Sequence, residues 1–212
     1  MERKTVTEIN EQGFRIPSEK LHILVDDISS STSPNDIVVL SGSLPRECPS
    51  GFYANLIHKL NKLRVRCVLD ADGEALRLGA QKGPYLIKSN LNELAILAGS
   101  SISSHSEIKK VCMHLIQEGI AMVVVSLGSR GAILARGDAA FIASPIKVDV
   151  KSTVGAGDSM VAGIIKNIDS SPEEALRAGV AAATASITQA GTRVCTKALY
   201  DYYYPLVEIT RL

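Results

Sequence analysis

Tryptophan is absent from the 212 residues, and tyrosine and phenylalanine together make up only 4% of them. So few rings exclude a base-stacking platform for single-stranded nucleic acid. An excess of one charge is missing as well: 23 basic residues face 22 acidic ones, for a formal net charge of +1, and no basic block stands out. A nucleic-acid or membrane-surface partner would need such a footprint. Cysteine is sparse and scattered at Cys48, Cys67, Cys112 and Cys195, with no CxxC pair, which argues against a zinc or disulfide framework. Cys67 and Cys112 lie in apolar patterns and read as small core residues. His22, His58, His105 and His114 show no metal-ligand spacing. No apolar run reaches membrane-spanning length, and the opening MERKTVTEINEQ lacks the apolar region of a signal peptide. The expected location is the reducing cytoplasm. No GxxxxGK[ST] string is present, so a Walker-type nucleotide site is unsupported.

What is present is ordinary globular material, 46% hydrophobic and 21% charged, with strand and helix signals alternating from residue 18. The spacing predicts a helix from Ser18 to Ser30, a strand over Ile37–Leu40, and a helix from Pro49 to Leu63. A strand follows over Val65–Leu69 and another over Tyr85–Ile87. Ser106 to Glu118 carries helical periodicity, and Met122–Val125 is a continuous apolar strand of the kind covered on both faces. Ala132–Ala135 and Ala139–Ala143 form a hairpin turned at Gly137-Asp138. Ser171-Pro172-Glu173-Glu174 combines an N-cap, a proline at the first helical position and a capping-box glutamate. A terminal helix is expected over Asp201 to Leu212. The pattern is one α/β domain with a mostly parallel sheet.

The most informative string is KSTVGAGDSMVAG, residues 151–163. A Gly-Ala-Gly turn ends on Asp158, and Met160, Val161, Ile164, Ile165 and Ile168 fall on one face of the helix that follows. Helix N-termini expose unpartnered N–H groups and the positive end of the macrodipole, and so attract anions. Asp158 in that field is suited to accept a proton from a hydroxyl attacking a phosphorus held by the N–H groups of Gly155, Ala156 and Gly157. A capped helix start alone would also explain an aspartate in this position. A dinucleotide-binding reading of the same glycines lacks the preceding strand and the later acidic residue.

Residues 152–158, STVGAGD, resemble the carboxy-terminal signature of the PfkB/ribokinase family of carbohydrate kinases. VVLSGSLP (38–45), VLDADGEAL (68–76), LIKSNLNEL (86–94), VVVSLGSRGA (123–132) and GTRVC (191–195) follow in the family's order. The resemblance implies a ribokinase-like three-layer α/β/α sandwich. It also implies ATP-dependent phosphoryl transfer to a phosphorylated ketohexose, within the phosphofructokinase and tagatose-6-phosphate kinase group. The 6-phosphofructokinase type ranks slightly ahead of the 1-phosphofructokinase and tagatose-6-phosphate kinase types.

By resemblance, Asp158 is the catalytic base and Ser43 lies near the sugar phosphate. Lys88, Asn90, Val154 and the loop Ser126, Leu127, Gly128, Ser129 and Gly131 contact the nucleotide. Asn90 and Glu93 organise Mg2+, although N-x-x-E is also a capping box. Ser152, Val154, Ser186, Gln189, Gly191 and Arg193 match a monovalent-cation site, such as one for K+. Residues 1–16 are expected to be the remnant of a β lid, otherwise largely absent, with the nucleotide-binding domain over 17–212. The chain resembles a family member without its first third. This raises two expectations: an amino-terminal segment supplied from elsewhere, or a non-catalytic nucleotide-binding remnant. The resemblance separately implies a homodimer, since relatives frequently dimerise through the lid, most of which is missing here.

Overall fold

The computed structural model describes residues 13–212. Residues 1–12, which hold most of the expected lid remnant, lie outside it. Among the described residues seven strands form one sheet in sequence order: β1 (Ile37–Ser41), β2 (Arg66–Asp70), β3 (Leu86–Asn90), β4 (Met122–Ser126), β5 (Ala132–Arg136), β6 (Ala139–Ala143) and β7 (Ile209–Arg211). β1 to β4 are mutually parallel, and β5, β6 and β7 are added antiparallel. Among the described residues the eight α-helices are α1 (Ser18–Ser30), α2 (Phe52–Lys62), α3 (Gly73–Ala80), α4 (Leu91–Ala98), α5 (His105–Gln117), α6 (Ala156–Lys166), α7 (Pro172–Ile187) and α8 (Lys197–Tyr203).

The helices form two layers because the central strands are apolar on both sides. Leu69, Ile87, Val123 and Ile133 pack under α2, α4 and α5 through Leu56, Leu60, Leu94 and Cys112. Val68, Leu86, Val124 and Leu134 pack under α6 and α7 through Val161, Ile164, Leu176 and Ala181. The α6–α7 contact is very close. A Cβ on Gly163 would lie 2.4 Å from the Ala178 carbonyl oxygen, and one on Gly179 would lie 2.6 Å from Ile164. Small residues at both positions let the helix that carries Asp158 sit rigidly on its neighbour.

The periodicity placed most elements within a residue or three. Short helix α3 was not anticipated, and α4 was anticipated only through the Asn90–Glu93 capping box. The expected terminal helix is also replaced. α8 begins at Lys197, a 3-10 turn over Tyr204–Leu206 follows, and β7 closes the chain. Pro205 has no N–H to extend the helix, and Ile209 and Thr210 pair with β6 instead. At α7, Ser171 Oγ accepts from the Glu174 N–H at 3.2 Å. Glu174 does not complete the expected box, because its carboxylate is drawn to Tyr204 Oη and Arg177.

Candidate active site

The carboxyl ends of β1, β2 and β3 and the amino end of α6 enclose a cleft of about 250 Å³, where open α/β sheets bind ligands. β1 delivers Ser41, Gly42 and Ser43. β2 delivers Asp70 and Asp72, β3 delivers Lys88, α4 delivers Glu93, and the turn into α6 delivers Gly155, Gly157 and Asp158.

Gly155 is the N-cap of α6 at φ 76°, a left-handed conformation that favours glycine. Among the described residues, the N–H groups of Gly155, Gly157 and Asp158 have no protein partner. The Ala156 N–H, expected to be a third free donor, bonds the Thr153 carbonyl at 3.3 Å. The free donors at this helix start are therefore the N–H groups of Gly155, Gly157 and Asp158, because the turn that launches the helix uses the amide between the glycines. Gly157 also makes room for a cation: a Cβ there would lie 2.9 Å from Lys88 Nζ.

Asp158 is exposed, borders this cleft and two adjoining hollows of about 570 and 470 Å³, and accepts from Ser41 Oγ at 3.3 Å. Ser43 Oγ donates to Asp72 Oδ2 at 2.8 Å. The turn bearing both serines is held from below by Tyr53, whose buried hydroxyl lies 3.1 Å from the carbonyl oxygens of both Ser41 and Gly42. The Gly42 N–H bonds the Asp70 carbonyl at 2.9 Å. Sequence reasoning missed Tyr53, which carried only the signal of an apolar helix face.

Lys88 pairs with Asp70 at 2.9 Å, and both side chains are nearly buried. Burial pushes the Asp70 carboxyl up and Asp158 adds to that shift, while Lys88 pulls it back. Burial likewise raises Glu93, opposed by the Asn90 N–H and by Lys88. Asn90 does not line the cleft. It forms the capping box of α4: its Oδ1 accepts from the Glu93 N–H at 3.0 Å, and its N–H and Nδ2 donate to the Glu93 carboxylate at 2.7 and 2.6 Å. Glu93 is the member of the pair that faces the cleft.

The lining carries four carboxylates and one ammonium group. Among the described residues, no group of three or more histidine, cysteine or acidic side chains could hold a metal ion. A Mg2+ ion here would therefore depend on nucleotide phosphates and water for most of its oxygen ligands, which is how this cation is usually carried.

The Ser126–Gly131 loop stands apart from the cleft lining. Leu127 is buried in the core, its N–H bonds the Gly131 carbonyl at 2.8 Å, and Ser126 Oγ donates to the Ser89 carbonyl at 3.3 Å. Gly128 and Ser129 are exposed. A Cβ on Gly131 would lie 2.0 Å from the Ala143 carbonyl oxygen, so that glycine is required by packing. Of the monovalent-cation set, Ser152 lies beside the end of α7, where the Ile187 carbonyl accepts from the N–H groups of Lys151 and Ser152. Val154 donates to Ser152 Oγ. The Ser186 carbonyl already accepts from Gln189 at 2.9 Å, and Gly191 and Arg193 are exposed on the following loop.

This fold, with its acidic, glycine-fronted cleft at a helix start, defines a class, and comparison with known proteins agrees. The model of the pfkB family carbohydrate kinases matches residues 7–199, and the chain belongs to that family. A 1-phosphofructokinase of Bacillus subtilis is 35% identical over 208 residues, covering 97% of this chain and 68% of that protein. The ATP-dependent 6-phosphofructokinase isozyme 2 of Escherichia coli is 35% identical over 202 residues, covering 92% of this chain and 63% of that protein. A crystal structure of phosphofructokinase-2 from Escherichia coli, described as a complex with potassium, superposes with a TM-score of 0.88 at 31% identity. It covers 93% of this chain and 65% of the other. The chain thus spans about two thirds of the length of the relatives it matches.

Proposed function

We propose that this chain carries the catalytic half of an ATP-dependent fructose-phosphate kinase. The observation that carries this reading is the meeting of Asp158 with the unpartnered N–H groups of Gly155 and Gly157 at one cleft. Asp158 takes the proton of the acceptor hydroxyl as its oxygen bonds to the γ-phosphorus, and the bond to the bridging oxygen of ADP breaks. Negative charge gathering on the transferred group is met by the backbone N–H groups and the α6 dipole. A magnesium ion would neutralise nucleotide phosphate charge. Glu93 would help hold it through water, and Asn90 fixes Glu93 through the cap. A monovalent cation at the α7 end and residues 1–16 as a lid remnant belong to the same proposal.

The sequence strings favour fructose 6-phosphate as acceptor. The relatives named 1-phosphofructokinase favour fructose 1-phosphate. A second reading, a nucleotide-binding remnant, is favoured by one observation: among the described residues the only cation lining the cleft, Lys88, is engaged by Asp70, so none of them offers the acceptor's phosphate a free cationic side chain there. A coupled ADP-release assay with fructose 6-phosphate, fructose 1-phosphate and tagatose 6-phosphate tests the proposal, run beside calorimetric titration of MgATP. Turnover with one fructose phosphate supports the kinase. Nucleotide binding with no turnover on any acceptor supports the remnant, and absence of both overturns the site.

A further inference from the structure

Asp70 and Lys88 stand on neighbouring strands in the interior of the sheet. Lys88 Nζ donates to Asp70 Oδ1 at 2.9 Å, and the two side chains are only 12% and 13% exposed. An ammonium group carries three donors. Asp70 accepts from one of them, and among the described residues the other two have no protein partner. Both side chains line the cleft together with Gly155, Gly157 and Asp158.

The lysine also lies against the first turn of α6. A Cβ on Gly157 would fall 2.9 Å from Lys88 Nζ, 3.5 Å from its Cε and 3.9 Å from Asp70 Oδ2. Gly157 is not among the glycines of positive φ, so what it provides is space. The two free ammonium donors therefore sit beside the free N–H groups of that turn.

Stability is a poor reason for the carboxylate. Desolvation offsets most of the attraction in a buried ion pair, and burial pushes the Asp70 carboxyl up in spite of Lys88. A carboxylate at a phosphate site also repels the ligand. Asp70 needs a task that outweighs that repulsion.

We propose that Asp70 is a positioning residue: it holds the Lys88 ammonium against Gly157, so that lysine and helix amides together meet the terminal phosphoryl group of the nucleotide. This rests on the phosphoryl-transfer reading and adds a residue to it. A lysine on a flexible four-carbon stem has many other places to put its charge, and the pair with Asp70 removes them.

The test is calorimetric titration of the full chain with MgADP and with the magnesium complex of a non-hydrolysable ATP analogue. The ratio of the two affinities isolates the terminal phosphoryl group. The wild type is expected to bind the ATP analogue at least about tenfold more tightly than ADP. Lys88→Met and Asp70→Asn should each lower that ratio about tenfold, and the double variant should lower it no further, because the two residues act as one unit. The sign separates positioning from charge alone, since deleting a carboxylate would otherwise tighten binding of the more anionic ligand and raise the ratio. A purely structural role leaves the ratio unchanged. If Asp70→Asn fails to fold by circular dichroism, Asp70→Glu decides: it keeps the charge but moves the pairing oxygen by one methylene, and the ratio should again fall. A ratio unchanged or raised in a folded Asp70 variant, or unchanged in Lys88→Met, overturns the proposal. So does a wild type that binds both nucleotides equally or neither. Turnover is a separate readout: a chain that distinguishes the nucleotides through Asp70 yet transfers no phosphoryl group overturns the kinase reading and leaves the role of Asp70 standing.

Discussion

The two edges of the sheet are built to opposite rules. At one end β7 is three residues long, half-exposed to exposed, and finishes on Arg211. Its end is tied down by the Leu212 N–H to the Ala140 carbonyl and by Lys109 Nζ to the Leu212 carbonyl, at 2.8 and 2.7 Å. A short, charged, anchored strand is how a sheet ends. At the other end of the sheet, among the described residues, β1 is five residues long and uncharged. The candidate site sits beside that second edge. The cleft opens at the parallel strands β1 to β3, and the antiparallel strands β5 to β7 lie at the opposite end of the sheet.

The largest expected effect separates the two sides by function. Asp158→Asn lowers turnover on the accepted fructose phosphate by about a hundred- to ten-thousand-fold, whereas Arg211→Ala at the β7 edge leaves it within twofold. Steady-state kinetics on both variants checks the contrast. Next in size is Gly131→Ala in the antiparallel half. Its backbone sits at φ 91° and its Cβ would strike the Ala143 carbonyl, so chemical denaturation should show a loss of about 3 kcal/mol.

Tyr53→Phe acts on the β1 side. It leaves two carbonyls without their donor, costs about 1–2 kcal/mol, and frees the Ser41–Gly42 turn. Faster hydrogen exchange at Gly42 and an acceptor KM raised about tenfold, with kcat changed less, are the expected readouts. Ser89→Ala, in the middle of the sheet, should stabilise by about 1 kcal/mol, because Ser89 Oγ is fully buried without a hydrogen-bond partner.

The smallest effect is a pH slope. Burial raises the Glu93 carboxyl in the folded state, so the folded protein holds that proton more tightly than the unfolded chain. The associated stability is present below the ordinary carboxylate pKa of about 4.3 and is lost as pH rises through the raised value. Glu93→Gln should flatten that decline, measured by urea denaturation at a series of pH values.

The contrast also explains what the sequence made legible. β4, with four consecutive apolar residues, and α5, with Ile108, Cys112 and Leu115 on one face, announced themselves because local pattern and burial agree there. The GAGD start of α6 was legible for the same reason: glycine conformation, helix onset and acid coincide within four residues. α3 was not, and α4 showed only its capping box, because each is only eight residues long. α3 also opens on a glycine, and α4 follows β3 with no intervening loop. β7 depends wholly on its pairing with β6. In the site, the capture of Lys88 by Asp70 joins residues on different strands, and no spacing rule reports it. Tyr53 was hidden because its hydroxyl seeks backbone carbonyls eleven and twelve residues away.

The cradle at the start of α6 is tested most directly by following the backbone amide resonances of Gly155 and Gly157 during titration with a magnesium complex of a non-hydrolysable ATP analogue. Both resonances should move together and saturate with the calorimetric binding curve, in the wild type and in Asp158→Asn alike. Saturable nucleotide binding that leaves both amides unmoved would contradict the account.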